Sequence, residues 1–254
     1  MKSVSVIILT LNEEANIREC LNSVSWTTEV LVVDSESTDK TVAIARECGA
    51  TVLSIPWEGY GRTKNRALEH AASEWILWLD ADERVTPELA KEIQQLLPSD
   101  EETYSAFTVA RRAYFLGRWI RHSGWYPGRV TRLFRKGSGK FTESLVHESL
   151  QVAGPIGNLH NDLVHLTDPN LEHYFVKFNR YTTLAAGDLE KKGKHFRIHQ
   201  LFGRPLFTFF RMYILRWGFR DGIQGFILCT LSACYVFVKY AKLWERYSTP
   251  TKKM

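Results

Sequence analysis

Short apolar runs alternate with amphipathic helical segments through the first part of this 254-residue chain. Residues 4–10 are almost continuously apolar and rich in β-branched side chains, which is typical of a strand buried on both faces. Comparable runs at residues 30–33, 51–55 and 75–80 are separated by segments with the apolar spacing of a helix. This alternation predicts parallel βαβ units, and therefore an α/β fold with a parallel-rich sheet flanked by helices.

Polar side chains lie at the ends of three of these predicted strands. Thr10 ends the first strand and Asn12 follows it, Asp34 ends the second, and Asp80 ends the strand at 75–80 with Asp82 two residues later. Open parallel sheets bind ligands beyond the carboxyl ends of their strands, so we expect one crevice to collect these side chains. We also expect Asn12 to cap the helix that follows the first strand.

The pair Asp80 and Asp82 has the spacing of a cation site. Alternate residues of a strand share a face, so the two carboxylates are predicted to point the same way. Carboxylate oxygens suit hard ions such as Mg²⁺ or Mn²⁺, which take further ligands from a substrate's phosphates. A solvated acidic turn would have the same sequence. The chain contains no Gly-x-Gly-x-x-Gly or Gly-x-x-x-x-Gly-Lys-Ser/Thr loop, which argues against a dinucleotide fold and a P-loop.

Four motifs in order carry a resemblance to a known family. They are Ser-Val-Ile-Ile-Leu-Thr-Leu-Asn-Glu-Glu at 5–14, Val-Asp-Ser-Glu-Ser-Thr-Asp at 33–39, Gly-Arg-Thr-Lys-Asn-Arg-Ala at 61–67 and Leu-Asp-Ala-Asp-Glu at 79–83. With this order and spacing, residues 3–83 resemble the nucleotide-binding half of the family 2 glycosyltransferases. The resemblance implies a GT-A fold, an inverting mechanism and a nucleotide-diphosphate-sugar donor, usually UDP-linked.

The same resemblance implies roles for residues on the donor side. Asp34 is similar to the carboxylate that accepts a hydrogen bond from the base, Asp80 would face the ribose, and Asp82 would bind the metal. The implied cofactor is Mg²⁺ or Mn²⁺, which would stabilise negative charge on the departing diphosphate. The residues that would bind the nucleotide sugar are Thr10, Asn12, Glu13, Asp34, Lys64, Asn65 and Asp80.

Sugar transfer to a hydroxyl also needs a base, because the hydroxyl must lose its proton as it attacks the anomeric carbon. Residues 145–149, Leu-Val-His-Glu-Ser, resemble a segment of the lipopolysaccharide-core subgroup of the family, in which the glutamate lies on the acceptor side. The resemblance makes Glu148 the expected general base, with His147 as its neighbour, orienter or a metal contact. Both residues would also suit the polar end of a strand, and Glu143 is the alternative base.

The chain's charge is divided unevenly. The overall formal charge is +5, yet the first hundred residues are acidic and the remainder is strongly basic. Residues 191–220 contain eight Lys or Arg and no acid, interleaved with aromatic residues. This mixture suits an anionic membrane surface. Single-stranded nucleic acid would also suit it, but no recognition helix, RNP-like motif or zinc finger accompanies the patch, so we expect no nucleic-acid partner.

Residues 222–238 contain no charged side chain over 17 positions, which is near the lower limit for a membrane span. Because polar residues and glycines dilute this stretch, we predict a helix packed on its neighbours or lying in the membrane interface, with a span as the alternative. We therefore divide the chain into a catalytic domain at 1–168 and a helical, basic, membrane-associating region at 169–254. The catalytic domain has a nucleotide-sugar half at 1–100 and an acceptor half at 101–168.

Cysteine and histidine usage points away from other site types. The four cysteines show no Cys-x-x-Cys spacing, so a zinc site or a disulfide framework is not expected. His160 and His165 each stand near apolar neighbours and are interpreted as structural. No signal-peptide core follows Met1, which favours a cytoplasmic protein.

Together these features resemble bacterial glucosyltransferases that act on the lipopolysaccharide inner core. The expected function is inverting transfer of a hexose, glucose from UDP-glucose, to a hydroxyl of a lipid-anchored glycan such as an inner-core heptose. The expected location is the cytoplasm, peripheral on the inner face of the inner membrane. Two alternatives remain at this point: transfer to a polyprenyl phosphate, and a catalytically silent sugar-binding scaffold.

Overall fold

The computed structural model describes residues 3–97, 103–142 and 149–248. The chain forms two compact units, the first made of Met1–Arg112 with Gly128–His165 and the second of Ala113–Pro127 with Leu166–Met254. The described strands are β1 Val4–Thr10, β2 Glu29–Asp34, β3 Thr51–Ser54, β4 Trp75–Asp80, β5 Glu83–Val85, β6 Ala106–Phe115, β7 Arg118–Trp119, β8 Val130–Arg135, β9 Gly139–Phe141, β10 Leu150–Val152 and β11 Ile156–Asp168. The described α-helices are α1 Ile17–Asn22, α2 Thr41–Glu47, α3 Tyr60–Glu69, α4 Pro87–Leu96, α5 Leu171–Lys191, α6 His199–Phe210 and α7 Gly222–Ser248.

The first unit is built on a mixed sheet. Its described strands follow the order β3-β2-β1-β4-β8-β6-β11-β5. β1 is parallel to both β2 and β4, and β2 is parallel to β3, whereas β8 is antiparallel to β4. The predicted α/β class, with a parallel-rich sheet flanked by helices, is confirmed.

Helices cover both faces of the central strands. Ile8 of β1 packs in a buried cluster with Ile17 of α1 and Ile93 of α4. Its neighbour Ile7 points to the opposite face and packs in a second cluster with Ala67 of α3. Burial on both faces explains why the strand sequence is almost continuously apolar rather than alternating. The packing holds the carboxyl ends of β1, β2 and β4 at one edge of the sheet.

The predicted cap at Asn12 is wrong. Helix α1 begins at Ile17, and Asn16 precedes it as the cap residue. Asn12 instead has a φ of 56°, in the left-handed region that asparagine tolerates better than most residues. Its side-chain oxygen accepts a hydrogen bond from the Thr38 backbone N–H at 2.8 Å, so the amide binds the loop after β2 and not a helix end.

The second unit contains the last three α-helices. A π-helical segment, Arg211–Leu215, continues α6, and a 3₁₀ turn, Gly218–Asp221, leads into α7. α7 packs against both α5 and α6 and extends ten residues beyond the uncharged stretch that predicted it. Within the described residues, the stretch Gly218–Ser248 is long and apolar enough to cross a membrane, judged by length and composition alone, and 22% of its most apolar window is buried within the protein.

Candidate active site

Thr10 and Asp34 lie opposite each other at the carboxyl ends of β1 and β2. Both side chains are buried, and the Thr10 hydroxyl donates to a carboxylate oxygen of Asp34 at 3.3 Å. The other carboxylate oxygen accepts a hydrogen bond from the Ser37 backbone N–H at 3.0 Å. Asp34 therefore shapes the start of the loop after β2.

The loops that follow β1 and β2 are tied side by side. The Asn12 backbone N–H donates to the Ser37 hydroxyl at 2.9 Å, in addition to the bond that its side chain accepts from Thr38. The Glu13 backbone N–H donates to the Thr41 hydroxyl at 2.8 Å. These bonds place Asn12 and Glu13 on the rim of the same sheet edge at which Thr10 and Asp34 lie.

Helix α3 brings Lys64 and Asn65 to this unit's β9 strand. Lys64 is buried, and its ammonium lies 5.1 Å from the ring centre of Phe141 and 5.5 Å from that of Trp78. The Asn65 side-chain amide donates to the Phe141 carbonyl at 2.9 Å and accepts from the Phe141 N–H at 2.8 Å. Asn65 thus holds β9 against α3, a role that the sequence motif did not indicate.

A buried arginine joins the acidic residues at the end of β4. Arg132 of β8 contacts Asp80 at 2.5 Å and Glu83 at 2.7 Å, and Glu83 is fully buried. Glu83 also accepts a hydrogen bond from the Asp80 backbone N–H at 3.1 Å. Three elements of the sheet are therefore connected through one ionic cluster.

The cluster sets the protonation of its members. Burial alone would raise the pKa of Asp80, but the charges of Arg132 and Lys64 outweigh it and hold that pKa at about 2. Burial raises the pKa of Glu83, with the Arg132 charge opposing the change. Burial would lower the pKa of Arg132, yet the carboxylates of Asp80 and Glu83 raise it above its usual value. Asp80 is thus a fixed anion facing this sheet edge.

Asp82 lies beside a histidine that was interpreted from sequence as structural. The Nε2 atom of His165 is 3.3 Å from a carboxylate oxygen of Asp82, and both side chains are largely covered. The two residues meet because β11 pairs with β5, which sets His165 opposite Glu83. The turn itself is held by Arg84, which donates to the Ala81 carbonyl at 2.8 Å.

The Asp82 and His165 pair fits two positions of a divalent cation. Two donors in adjacent positions of one ion, with bonds of about 2.1 Å, lie about 3 Å apart, close to the observed separation. The carboxylate suits Mn²⁺ or Mg²⁺, the imidazole is a general ligand for transition metals, and water and phosphate oxygens would complete the shell. No group of three or more metal-binding side chains occurs within the described residues. His147, Glu148 and the alternative base Glu143 lie outside the described residues.

The family to which the chain belongs follows from its match to a protein-family model. The model of Glycosyl transferase family 2 matches residues 5–150, which is more than half of the chain. The chain belongs to glycosyl transferase family 2. The family that the four motifs resembled is thereby confirmed.

This family 2 glycosyltransferase has relatives along nearly its whole length. It is 33% identical over 252 residues to the lipopolysaccharide core biosynthesis glycosyltransferase LpsC of Rhizobium meliloti strain 1021, covering 96% of this chain and 93% of LpsC. It is 34% identical to an uncharacterized glycosyltransferase of Rickettsia felis, covering 96% and 90%. Among solved structures, glucosyl-3-phosphoglycerate synthase of Mycobacterium tuberculosis, in complex with Mn²⁺, UDP-glucose and phosphoglyceric acid, is 27% identical with a TM-score of 0.39, covering 44% of each chain.

Sequence reasoning missed three residues of this site: Arg132, Glu83 and His165. Arg132 carries a signal that could have been used, since it is the one charged residue of the otherwise mostly apolar segment Val-Thr-Arg-Leu-Phe at 130–134. A cation in such a position needs a buried anionic partner. Glu83 was part of the quoted motif without an assigned role. No local signal identifies His165, because its place depends on which strands pair.

The low pKa of Asp80 predicts a dependence of stability on pH. Because folding lowers this pKa to about 2, the ionised carboxylate stabilises the fold above about pH 4, and this contribution is lost as the pH falls toward about 2. The unfolding free energies of wild type and Asp80→Asn, measured in urea from about pH 6 down to about pH 3, should therefore converge as the pH falls. Replacing the exposed Glu88 by glutamine is the control, and a gap for Asp80→Asn that stays constant over this range would contradict the assignment.

Proposed function

We propose that this family 2 glycosyltransferase transfers a hexose with inversion from a UDP-sugar to a hydroxyl of a lipid-anchored glycan. The proposed donor is UDP-glucose, and the proposed acceptor is a heptose of the lipopolysaccharide inner core. The observation that carries the proposal is the likeness to LpsC over 96% of this chain. A likeness limited to the donor motifs would support only a shared nucleotide sugar, whereas this one includes the acceptor half and the basic helices.

The donor side of the proposal rests on the sheet edge that collects Thr10, Asn12, Glu13, Asp34, Lys64 and Asp80. Asp34 and Asp80 offer carboxylate oxygens to the hydroxyl and amide hydrogens of a nucleoside. Asp80 stays ionised through its contact with Arg132, so its oxygens act as acceptors at neutral pH. The carboxyl ends of parallel strands are where such folds bind nucleotides.

Asp82 and His165 are the proposed protein ligands of a divalent cation, Mn²⁺ or Mg²⁺. When bound, the ion would supply positive charge to the diphosphate leaving group. Asp82 immediately precedes β5, and His165 lies on β11, which pairs with β5, so their separation is set by the sheet and not by a free loop. His147 remains a proposed neighbour of the base or a further ligand.

Glu148 is the proposed general base, on the strength of its sequence motif and of where the adjoining chain lies. Phe141 contacts Lys64 and is held by Asn65, so the chain enters residues 143–148 next to the donor-side helix α3. The chain leaves them at Ser149, whose backbone bonds to Thr142 close the antiparallel β9–β10 pair. Both anchor points support a base within reach of a bound donor.

Peripheral attachment to the inner face of the inner membrane is the proposed location. None of the residues of α6 is buried, and its apolar side chains Phe202, Leu206 and Phe207 are each more than half exposed. Exposed apolar faces of this kind, with flanking cations, favour the membrane interface. α7 is instead held within the second unit, because the Lys242 ammonium donates to Thr182 of α5 at 2.9 Å.

A donor screen tests the proposed reaction. Purified protein would be incubated with UDP-glucose, UDP-galactose and GDP-mannose in the presence of Mn²⁺, and sugar release would be measured. The expected result is preferential hydrolysis of UDP-glucose, with transfer once truncated core lipopolysaccharides are added as acceptors. Transfer to polyprenyl phosphate alone, or no turnover of any donor, would refute the proposed function.

We predict that Asp82→Asn and His165→Ala each weaken Mn²⁺ binding measured by calorimetry. The amide carries no charge to offset the cation, and alanine removes a ligand, so Mn²⁺-stimulated turnover should fall with the binding. His160→Ala is the matched control, because the side chain of His160 is 92% exposed and contacts Glu92 instead of Asp82. Full activity of the wild type in EDTA, or unchanged Mn²⁺ affinity in both variants, would show that the pair is not a metal site.

We predict that Glu148→Gln lowers turnover by about a hundredfold or more, the usual loss for one positioned base, with little change in donor affinity. Glutamine keeps the size of the side chain but cannot accept the proton. Glu143→Gln is the matched control and should retain most activity. If Glu148→Gln stayed active, an acceptor that is already anionic would be favoured, and if it lost donor binding in proportion to turnover, Glu148 would be a donor-site residue.

Basic residues at the end of α5 and in the segment that leads to α6 should strengthen membrane binding. Replacing Lys191, Lys192, Lys194 and Arg197 by glutamine should weaken binding to anionic vesicles by about 1 kcal/mol per charge near the surface, and high salt should have the same effect. The control replaces four exposed cations of the first unit by glutamine: Lys40, Arg46, Arg66 and Lys91. Equal loss in both variants, or binding that is insensitive to salt, would contradict a basic membrane face.

A further inference from the structure

The second unit contains a cavity that none of the proposed donor, metal or base residues lines. Its volume is about 400 Å³, within the range of small-molecule sites of about 300–1,000 Å³. The lining residues are mostly cationic or aromatic: Arg118, Trp119, Arg121, His122, Arg220 and Asp221. The chemistry of the lining therefore favours an anion.

The one carboxylate among the lining residues, that of Asp221, already has hydrogen-bond partners within the protein. Asp221 is buried, and it accepts hydrogen bonds from the backbone N–H groups of Arg121 at 3.2 Å and His122 at 2.9 Å. Nδ1 of His122 lies 2.9 Å from the same carboxylate. With these contacts Asp221 serves to join the two chain segments that form the cavity.

The three arginines of the lining are not neutralised in this way. No ion pair found within the described residues involves Arg118, Arg121 or Arg220, whereas other cations of the same unit, such as Lys192 and Arg246, pair with carboxylates at 2.7 Å. Three like charges at one cavity repel one another, and an anion between them would relieve that repulsion.

Aromatic rings orient two of the guanidinium groups. The guanidinium carbon of Arg121 is 4.2 Å from the ring centre of Trp119, and that of Arg220 is 5.1 Å from the ring centre of Trp217. A guanidinium placed over a ring keeps its N–H donors at its edges, where they can bind a phosphate through two parallel hydrogen bonds. Stacking also lowers the entropy that each arginine would lose on binding.

The backbone holds Arg220 at the cavity through a close approach that glycine permits. A Cβ atom on Gly225 of α7 would lie 2.1 Å from the Gly218 carbonyl oxygen, so no larger residue fits there without movement. Trp217 has a φ of 58°, in the left-handed region, which turns the chain from the π-helical segment into the 3₁₀ turn. Residues held in such conformations concentrate at functional sites.

We propose that this cavity binds a phosphate group through Arg118, Arg121 and Arg220. The phosphate could belong to a membrane lipid headgroup or to a phosphorylated sugar of the acceptor, and the second source rests on the proposed function. In both sources the arginines would contact phosphate oxygens that carry one or two negative charges. This shared chemistry is what the cavity recognises.

Calorimetric titration of the full chain with inorganic phosphate, in the absence of any nucleotide sugar, tests the site. In the pocket variant, Arg118, Arg121 and Arg220 are each replaced by glutamine. This variant should bind phosphate at least tenfold more weakly than wild type, at matched thermal stability. The control variant Lys191→Gln, Lys194→Gln, Arg197→Gln removes the same charge from the same unit and should bind phosphate like wild type. Equal affinity in the pocket variant and wild type, or equal loss in both variants, would overturn the proposal.

Arg121→Lys keeps the charge without the paired donors, and wild-type affinity in this variant would argue against bidentate recognition.

Two further probes separate the sources. If the phosphate comes from the acceptor, glucose 6-phosphate should bind more tightly than inorganic phosphate, and the pocket variant should lose this preference. If it comes from lipid, the pocket variant should lose more affinity for phosphatidylglycerol vesicles than a first-unit control, Lys40→Gln, Arg46→Gln, Lys91→Gln, that removes the same charge at exposed positions. Phosphatidylcholine vesicles should show no such difference. Because no donor is present, these measurements can fail while UDP-sugar transfer succeeds, and the reverse.

Discussion

The bond between Arg132 and the carboxylates of Asp80 and Glu83 is the interaction on which the first unit's site depends. Glu83 is fully buried, and a buried carboxylate without a cation would lose its charge. Arg132 supplies that cation from β8, and its second contact keeps Asp80 ionised at the edge of the sheet. Removing one partner of such a cluster costs about 3–5 kcal/mol, because the other charge stays buried. Arg132 therefore contributes both to the stability of the fold and to the charge of the site.

Much of the first unit could be predicted from local sequence. A strand buried on both faces must be apolar throughout, so β1 and β4 were visible as runs, and the polar residues that end them were visible as site candidates. At Asn12, prediction from local sequence propensity gave the wrong structure. An asparagine after a strand is a good helix cap by propensity, but here its amide meets Thr38, which is distant in sequence. The tertiary partner, which no local pattern reveals, determined the conformation.

The parts of the site that escaped prediction all depend on strand pairing. Arg132 reaches Asp80 because β8 lies beside β4, and His165 reaches Asp82 because β11 pairs with β5. Hydrophobic periodicity identifies strands but carries no information about register between strands far apart in the chain. The arginine-lined cavity of the second unit also depends on long-range contacts, since residues near 120 and the 3₁₀ turn near 220 meet only in the folded chain. Composition predicted a basic half without predicting where its charges converge.

The two hydrogen bonds between Asn65 and Phe141 have a consequence for how the chain could vary. They hold Phe141 against α3, and the β9–β10 pair sets Leu150 opposite Phe141, so both strands of this hairpin share one anchor on the helix. Substitutions at other positions of β9 and β10 can then alter side-chain chemistry while Phe141 keeps its position beside α3. The hairpin can diverge between relatives in this way without loss of its attachment to the helix.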